Sequence, residues 1–487
     1  MPSDPVLTSP EPDVSLKDPL SAPLGILVRR PPVLCDQTTP VRQALATMRQ
    51  EKVGSILVTD SQGRPAGLFT LNDLRDRVVL GNYAIDEPMA GVMTPNPIAL
   101  DIGAPALEAA MVMARHSFRH VVLTDRGKVA GVISERDLFA LQQRGVSSIA
   151  RTLREATDLD TLRRVAQDTR ALARPLLAQG TGAEQITRLI SQLNDQLAEN
   201  LIHRAFAGIE VPWCWLALGS EGRLEQTLCT DQDNGLIFAL PEGENPDALR
   251  ERLLPLARRV NEELAECGFP LCNGGIMASN PAWCLSETEW RDTFSGWLFR
   301  GDAPVLLNAT IFFDFRPLAG SASLAVDLRG WLNQRIRDCR PFLKGMSVNA
   351  LANRPPLGLV RDFVLSEAGA EHPHSLDLKI NGATLFVDAA RIFALSAGLS
   401  DTGTAARLRA AAEAWRLDAG DLADWLEGFH TLQSLRLALH QEQQSHGLPM
   451  HNHLNPDELS AHDRRRLKEA LKSAKRLQGK LESYFQF

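Results

Sequence analysis

Gly219-Ser220 stands eleven residues ahead of Asp231-Gln232-Asp233, and that spacing is the chemical focus of the chain. A glycine at the end of an apolar run lets the backbone approach a triphosphate, and the Ser220 hydroxyl can donate to a phosphate oxygen. Carboxylates at i and i+2 of an extended segment share a face, so Asp231 and Asp233 can hold the same Mg²⁺ or Mn²⁺. This layout suits metal-assisted nucleotidyl transfer. Such chemistry calls for further oxygen ligands, and Asp314, within Ile311-Phe312-Phe313-Asp314-Phe315-Arg316, is the candidate third carboxylate. It is expected to ligate metal or to act as base toward the attacking hydroxyl, with Arg223 and Arg316 as phosphate partners. The competing reading of Asp314 is a structural pair with a neighbouring arginine.

The elements that must position these groups follow from apolar patterning. Trp213–Leu218 reads as a buried strand that ends at Gly219, and Asn234–Leu240 as a second strand after the acidic pair. Residues 311–316 read as a third strand, with Asp314 facing away from Phe313 and Phe315. A helix is expected from about Asn245 to Cys267, and Gly274-Gly275 marks a tight turn or a close approach to nucleotide. Trp283, Trp290 and Trp297 recur every seven residues, as in one helical stripe packed in the core; a shelf for a nucleobase is the less favoured alternative.

Glu221–Thr227 and Thr230–Asn234 resemble the signature of a bacterial family of nucleotidyltransferases, the DUF294 type, whose members look like distant relatives of the polymerase-beta-type superfamily and of the uridylyltransferase of nitrogen signalling. Asp314-Phe315-Arg316 falls in the matching place. The resemblance implies transfer of a nucleoside monophosphate from an NTP to an unidentified acceptor, for which a protein is one class, with release of pyrophosphate. Residues 326–487 read as a helical bundle. Pro356-Leu357-Gly358, Arg361-Asp362-Phe363, Asp377-Leu378-Lys379, Gly382 and Val387–Arg391 resemble the substrate-binding domain that follows this transferase. There Lys379 would neutralise phosphate charge. Asp388 and Arg391, at i and i+3, read as an ion pair within one helix.

The N-terminal third repeats itself at an offset of 65 residues: Ser55–Asp60 matches His120–Asp125, and after a one-residue slip Ala66–Leu74 matches Ala130–Leu138. Each copy reads helix, strand, turn, strand, helix, with Thr70 and Ser134 as N-caps and an acid three residues on. The repeat resembles tandem CBS domains, about 27–82 and 88–145, which pair as a Bateman module. That likeness implies an adenosyl nucleotide of the AMP or ATP type, with Thr70, Asp73, Ser134 and Asp137 as its contacts, and a homodimer formed through the CBS pair. Residues 146–208 read as a helical connector, 209–322 as the transferase, and 1–26 as a disordered, proline-rich tail.

The fold class expected is therefore α+β and multidomain. Across 487 residues the net charge is −7 with signs interspersed, which argues against a nucleic-acid surface. No apolar run reaches the roughly 20 residues that cross a bilayer, and seven scattered cysteines suit a reducing compartment. These features lead to an expectation of a cytoplasmic protein with no membrane partner. His372-Pro373-His374 and His451-Asn452-His453 lie in polar loops without nearby cysteines and read as loop composition rather than zinc ligands. Two functions remain: a Mg²⁺-dependent transferase gated by adenylates, or a non-catalytic regulator that senses nucleotides.

Overall fold

The computed structural model describes residues 23–28, 31–116, 118, 120–301, 310–358, 362–367 and 369–485. The chain divides into two compact units, 1–148 and 149–487. Most of the expected tail, 1–22, and Arg361 lie outside the described residues.

In the first unit, β1 (Leu34–Asp36), β2 (Ser55–Thr59), β3 (Pro65–Thr70) and β4 (Thr94–Pro95) form one sheet in that order. The second copy has β5 (Ala99–Asp101), β6 (His120–Asp125) and β7 (Lys128–Ser134). In both copies the leading short strand runs parallel to the next, and the hairpin after it is antiparallel. That leading strand is a part of the repeat that apolar patterning missed, because three half-exposed residues carry no period. Gly63 and Gly127, at φ +76° and +77°, supply the left-handed residue of the two hairpin turns. Val41, Ala44, Met48, Ile56, Val58 and Phe69 make the first core, and Ala106, Ala109, Met113, Val121, Leu123 and Ile133 the second. Leu57, Leu68 and Val122 join the copies. Leu24 and Leu27 belong to the second core, so the expected disordered segment does not extend to residue 26.

The second unit is built on a sheet of order β10-β9-β8-β11, from β8 (Trp213–Ala217), β9 (Asn234–Phe238), β10 (Cys284–Ser286) and β11 (Arg316–Gly320). β8 pairs antiparallel with both β9 and β11, and β9 runs parallel to β10. The expected strand at 311–316 is a correction. Ile311 and Phe312 end a helical turn, Asp314 sits in the turn that follows, and the strand starts only at Arg316. The carbonyls of Phe313 and Phe315 are taken by Arg329 Nη1 and Nη2 at 3.0 and 2.6 Å, and so are lost to a strand ladder. Trp283 is also not on the expected helix. It lies in a short turn before β10, while Trp290 and Trp297 share the helix Glu287–Arg300, and all three pack with Phe312.

The connector is not a spacer. Its helix Ala183–Ala205 buries Ser191 and Asn194 against the segment after β8, where Ser191 Oγ accepts from Gln226 N at 3.1 Å and Asn194 Nδ2 donates to Gln226 Oε1 at 3.0 Å. The helices Arg340–Ala352, Thr384–Ser396, Thr404–Trp415, Ala419–Ser445 and Ala461–Phe485 form the C-terminal bundle, with a small pair of strands, β12 (Leu376–Asp377) and β13 (His453–Leu454). One apolar core runs from Cys214 and Trp290 through Phe313 and Phe386 to Leu481, so the sheet and the bundle share an interior.

A buried ion cluster crosses that interior. Asp314, fully buried, accepts from Arg391 Nε and Nη2 at 2.8 and 2.6 Å, Arg407 Nη1 at 2.5 Å and Arg223 Nη1 at 2.6 Å. Arg391 also donates to Asp388 at 2.6 Å, so the expected helical pair forms, but as one edge of a larger cluster. Burial alone would raise the Asp314 carboxyl; the guanidiniums of Arg391, Arg407 and Arg223 outweigh it and hold the group well below the usual range. Removing one member of such a cluster leaves uncompensated buried charge and costs about 3–5 kcal/mol. Asp314→Asn is therefore expected to lower stability by that order in thermal or urea unfolding, while Asp231→Asn leaves unfolding unchanged. Equal stability of the two variants would contradict this.

Candidate functional site

Asp231 and Asp233 lie in the extended residues that lead into β9, with the Asp233 carbonyl accepting from Leu218 N at 2.9 Å. Between them Gln232 points inward. Its Nε2 donates to the carbonyls of Asn261 and Phe269 at 2.9 and 2.8 Å, and its Oε1 accepts from Asn261 Nδ2 at 2.8 Å. Asn261 Nδ2 also reaches Asn234 Oδ1 at 3.0 Å, which takes Ala278 N at 2.8 Å. Residues on an extended chain alternate, so anchoring Gln232 and Asn234 in the interior sets the flanking carboxylates together on the opposite side of the chain. This amide network was not foreseen from sequence, since its members are 27 and 29 residues apart.

A carboxylate oxygen of each acid and the Cys272 Sγ lie within 4.8 Å of one another. Burial, then the charge of Asp231, pushes Asp233 up to about 6, against the pull of Lys379 and a hydrogen bond from Cys272. Two acids held this close are a donor set that a divalent cation relieves. The oxygens suit Mg²⁺ and Mn²⁺, and the sulfur favours Mn²⁺ of the two. Cys272, spaced from Cys267 as if for a turn, is the unforeseen third donor; all seven cysteines are free thiols.

Gly219 stands at φ +52°, and a Cβ there would meet Asp233 Oδ2 at 2.5 Å. Its glycine identity therefore serves the acid as well as any phosphate. Ser220 Oγ lies 3.5 Å from Thr230 Oγ1. Both line a cleft of about 420 Å³, counting its open mouth, with Arg223, Lys379, Gln433 and Arg436.

The other expected site residues are committed elsewhere. Asp314 does not join Asp231 and Asp233: its two oxygens are filled by three guanidiniums, which removes it as metal ligand and as base. Arg316 Nη2 binds both oxygens of Asp195 at 2.7 and 2.8 Å and the Glu221 carbonyl at 3.1 Å, so it is a tether to the connector helix rather than a phosphate partner. Arg223 borders the cleft but is paired with Glu225 at 2.9 Å and with Asp314. Beside these, burial pushes Glu221 up to about 8, with Asp195 adding to the rise.

The cleft's available cations come from the bundle. Lys379 forms no ion pair or side-chain hydrogen bond among the described residues, and its charge acts on Asp233 and Cys229. Arg436, which sequence reasoning passed over, is buried with neutral partners: Asn452 Oδ1 at 2.9 Å, Gln433 Oε1 at 2.7 Å and Thr227 Oγ1 at 3.5 Å. Burial pulls its guanidinium down to about 10. A buried cation without a carboxylate is costly, and a phosphate would offset the cost.

In the first unit, Asp73 Oδ2 accepts from Thr70 N and Oγ1 at 2.9 and 2.7 Å, and Asp137 Oδ2 from Ser134 N and Oγ at 2.8 and 2.6 Å. Both pairs thus close capping boxes. The copies differ at the second oxygen. Asp73 Oδ1 faces Arg77 Nε at 3.4 Å and takes Thr94 Oγ1 at 3.3 Å, whereas Asp137 Oδ1 has no such partner among the described residues.

Residues that orient metal ligands typically carry about 10–100-fold in affinity. Gln232→Ala and Gly219→Ala are each expected to weaken Mn²⁺ binding by at least about tenfold, read by electron paramagnetic resonance of free Mn²⁺. Unchanged affinity in both would show that the acids need no such positioning.

Comparison with known proteins matches three family models: "Putative nucleotidyltransferase DUF294" over residues 167–303, "Putative nucleotidyltransferase substrate binding domain" over 340–485, and the CBS domain over 25–80 and 89–144. An Arabidopsis thaliana CBS domain-containing protein, CBSCBSPB1, is 31% identical over 97 residues, 20% of this chain and 18% of the relative. An uncharacterized 17.7 kDa protein of Acidianus ambivalens is 30% identical over 99 residues, 20% of this chain and 59% of its own. Arabinose 5-phosphate isomerase GutQ of Salmonella typhi is 32% identical over 102 residues, 21% and 32% of the two chains. The chain thus spans less than two thirds of the length of these relatives. Among solved structures, an uncharacterized conserved protein from Pyrococcus horikoshii is 28% identical, covering 26% of this chain and 95% of that one at a TM-score of 0.25. A CBS domain protein from Pyrobaculum aerophilum, complexed with AMP, is 28% identical, covering 24% and 89% at a TM-score of 0.23. No helix among the described residues is long and apolar enough to cross a membrane. With CBS repeats, a transferase segment and its substrate-binding partner matched in chain order, the chain belongs to the CBS-bearing DUF294 nucleotidyltransferase family.

Proposed function

We propose that this protein transfers a nucleoside monophosphate from an NTP to an acceptor hydroxyl, releasing pyrophosphate, and that the cleft lined by Ser220, Thr230, Lys379 and Arg436, together with the acidic pair beside it, is the active site. The observation that carries the reading is a cationic cleft beside a clustered pair of carboxylates: Lys379 and Arg436 line the cleft with no carboxylate hydrogen-bonded or ion-paired to their side chains among the described residues, Thr230, the neighbour of Asp231, lines it too, and the Lys379 charge acts on Asp233. A triphosphate with its divalent cation complements both the cations and the acids. Asp231 and Asp233 would hold Mg²⁺ or Mn²⁺, which when bound neutralises phosphate charge. Lys379 and Arg436 bind the phosphate oxygens, and Ser220 and Thr230 offer hydroxyl donors at the same mouth. With Asp314 unavailable as base, the chain contributes through positioning and electrostatics, the main requirements of phosphoryl chemistry.

The CBS pair is read as the sensor, with an adenylate as its ligand and the transferase as its output. Since Asp137 Oδ1 has no such partner among the described residues and Asp73 Oδ1 does, the second copy is taken as the better partner for a ribose hydroxyl.

The primary test incubates the protein with each α-labelled NTP, Mn²⁺ or Mg²⁺ and a cell extract. Label is expected on a discrete product, and lost with Asp231→Asn/Asp233→Asn. A charge-assisted hydrogen bond contributes about 1.5–3 kcal/mol, so Lys379→Ala and Arg436→Gln should each weaken NTP binding by roughly tenfold to a hundredfold. An NTP that binds both variants as well as the parent chain would refute the assignment of the cleft. For the sensor, AMP titrated calorimetrically should lose binding with Asp137→Ala and keep it with Asp73→Ala. The reverse order would overturn the choice of copy.

A further inference from the structure

The two histidine loops that look unrelated in sequence meet in space. His372 packs between His451 and His453, with ring centres 4.2 Å from each, and the outer two rings are 5.9 Å apart. We propose that His372, His451 and His453 form a site for a divalent transition-metal ion of the Zn²⁺ or Co²⁺ class, separate from the acidic pair at Asp231 and Asp233. It rests on nothing assumed about catalysis.

Three imidazoles on one tetrahedral ion, at metal–nitrogen distances of about 2.1 Å, have ring centres roughly 5 Å apart. The observed separations bracket that value. As placed, the rings lie partly face to face, at 25° and 41° for the two close pairs, and their nitrogens do not converge. Loading therefore requires rotation of the rings about their side-chain bonds, with little movement of the backbone that carries them.

That backbone is built to stay. The His372 carbonyl accepts from Ser366 Oγ and Ser375 Oγ at 2.5 and 2.7 Å, and Ser375 N donates to Ser366 Oγ at 3.0 Å. His453 is paired with Asp377 in the β12–β13 ladder, and Leu378 N donates to the Asn452 carbonyl at 2.9 Å. His451 N donates to Gln443 Oε1 at 3.0 Å, and His451 Nδ1 accepts from His453 N at 3.2 Å. The Nδ1 contact leaves His451 Nε2 for the ion, at the loss of its 3.2 Å contact with Gln443 Nε2. Asp377 Oδ2 lies 3.8 Å from His453 Nε2, placed to orient that ring or to supply a fourth ligand. All three rings are part-exposed, so an ion has access. Asp377 Oδ1 also accepts from Lys379 N at 2.7 Å, which ties the histidine cluster to the segment that carries the cleft lysine.

The test uses the full, tag-free chain after chelator treatment, with Co²⁺ as probe. Titration should develop the visible d–d bands of a nitrogen-ligated tetrahedral ion with one equivalent, undiminished in Asp231→Asn/Asp233→Asn and absent in His372→Ala/His453→Ala. Competing Zn²⁺ should bleach the bands. Circular dichroism of the histidine variant checks its fold, and His374→Ala, a nearby exposed histidine outside the cluster, should keep the bands. Bands that persist in the histidine variant, or that vanish with the aspartate variant, or no bands at all in the parent chain, would each overturn the proposal.

Discussion

One buried carboxylate organises the larger unit. Asp314 has no exposure to solvent, and its charge is tolerable only because Arg223, Arg391 and Arg407 converge on it. Those three arginines belong to the loop after β8, the helix Thr384–Ser396 and the helix Thr404–Trp415. A single anion thus joins the transferase sheet to the bundle at the point where both border the cleft. Arg329 stacks 3.7 Å over the Phe315 ring and holds the carbonyls on either side of Asp314, so the turn itself is fixed. Gly222 completes the fit: a Cβ there would lie 2.0 Å from the Asp314 carbonyl oxygen.

This arrangement explains why much of the motif around Glu221–Thr227 serves architecture. Arg223 and Glu225 bridge to Asp314 and Thr404, Gln226 bonds to Ser191 and Asn194, and Glu221 offers its carbonyl to Arg316. Of the cleft's lining, Arg223 and Glu225 are spent on these pairings; Ser220 and Thr230 keep hydroxyls there, and the cations Lys379 and Arg436 come from outside the motif. Buried polar networks of this kind are expensive when incomplete, so a full set of partners both rigidifies and orients. The acids share one side of the chain because their neighbours Gln232 and Asn234 are satisfied on the other.

The first unit uses the same economy of elements twice. Each copy needs a short parallel strand, a hairpin with a left-handed glycine, and a capped helix start, and each has its own small core. Duplication does not make the copies equivalent. Thr94, at the entry to the second copy, reaches back to Asp73 of the first, while the matching oxygen of Asp137 has no such partner among the described residues.

Sequence by itself determined the local and periodic features: the 65-residue repeat, the capping boxes at Thr70 and Ser134, the strand before Gly219, the acidic pair, and the helical character of the bundle. Each is set within a few residues by propensity, turn geometry or spacing. Tertiary structure alone decided the partners of the polar residues. Asp314 meets its arginines across 77, 91 and 93 positions, and no local pattern distinguishes an acid that will ligate metal from one that three guanidiniums will enclose. Cys272, Arg436 and the three histidines likewise gained their surroundings only when distant loops were brought together. Apolar periodicity encodes which face is buried, but hydrogen bonds and ion pairs are directional and short-ranged, so their pairing is defined only once the backbone has placed the groups within reach.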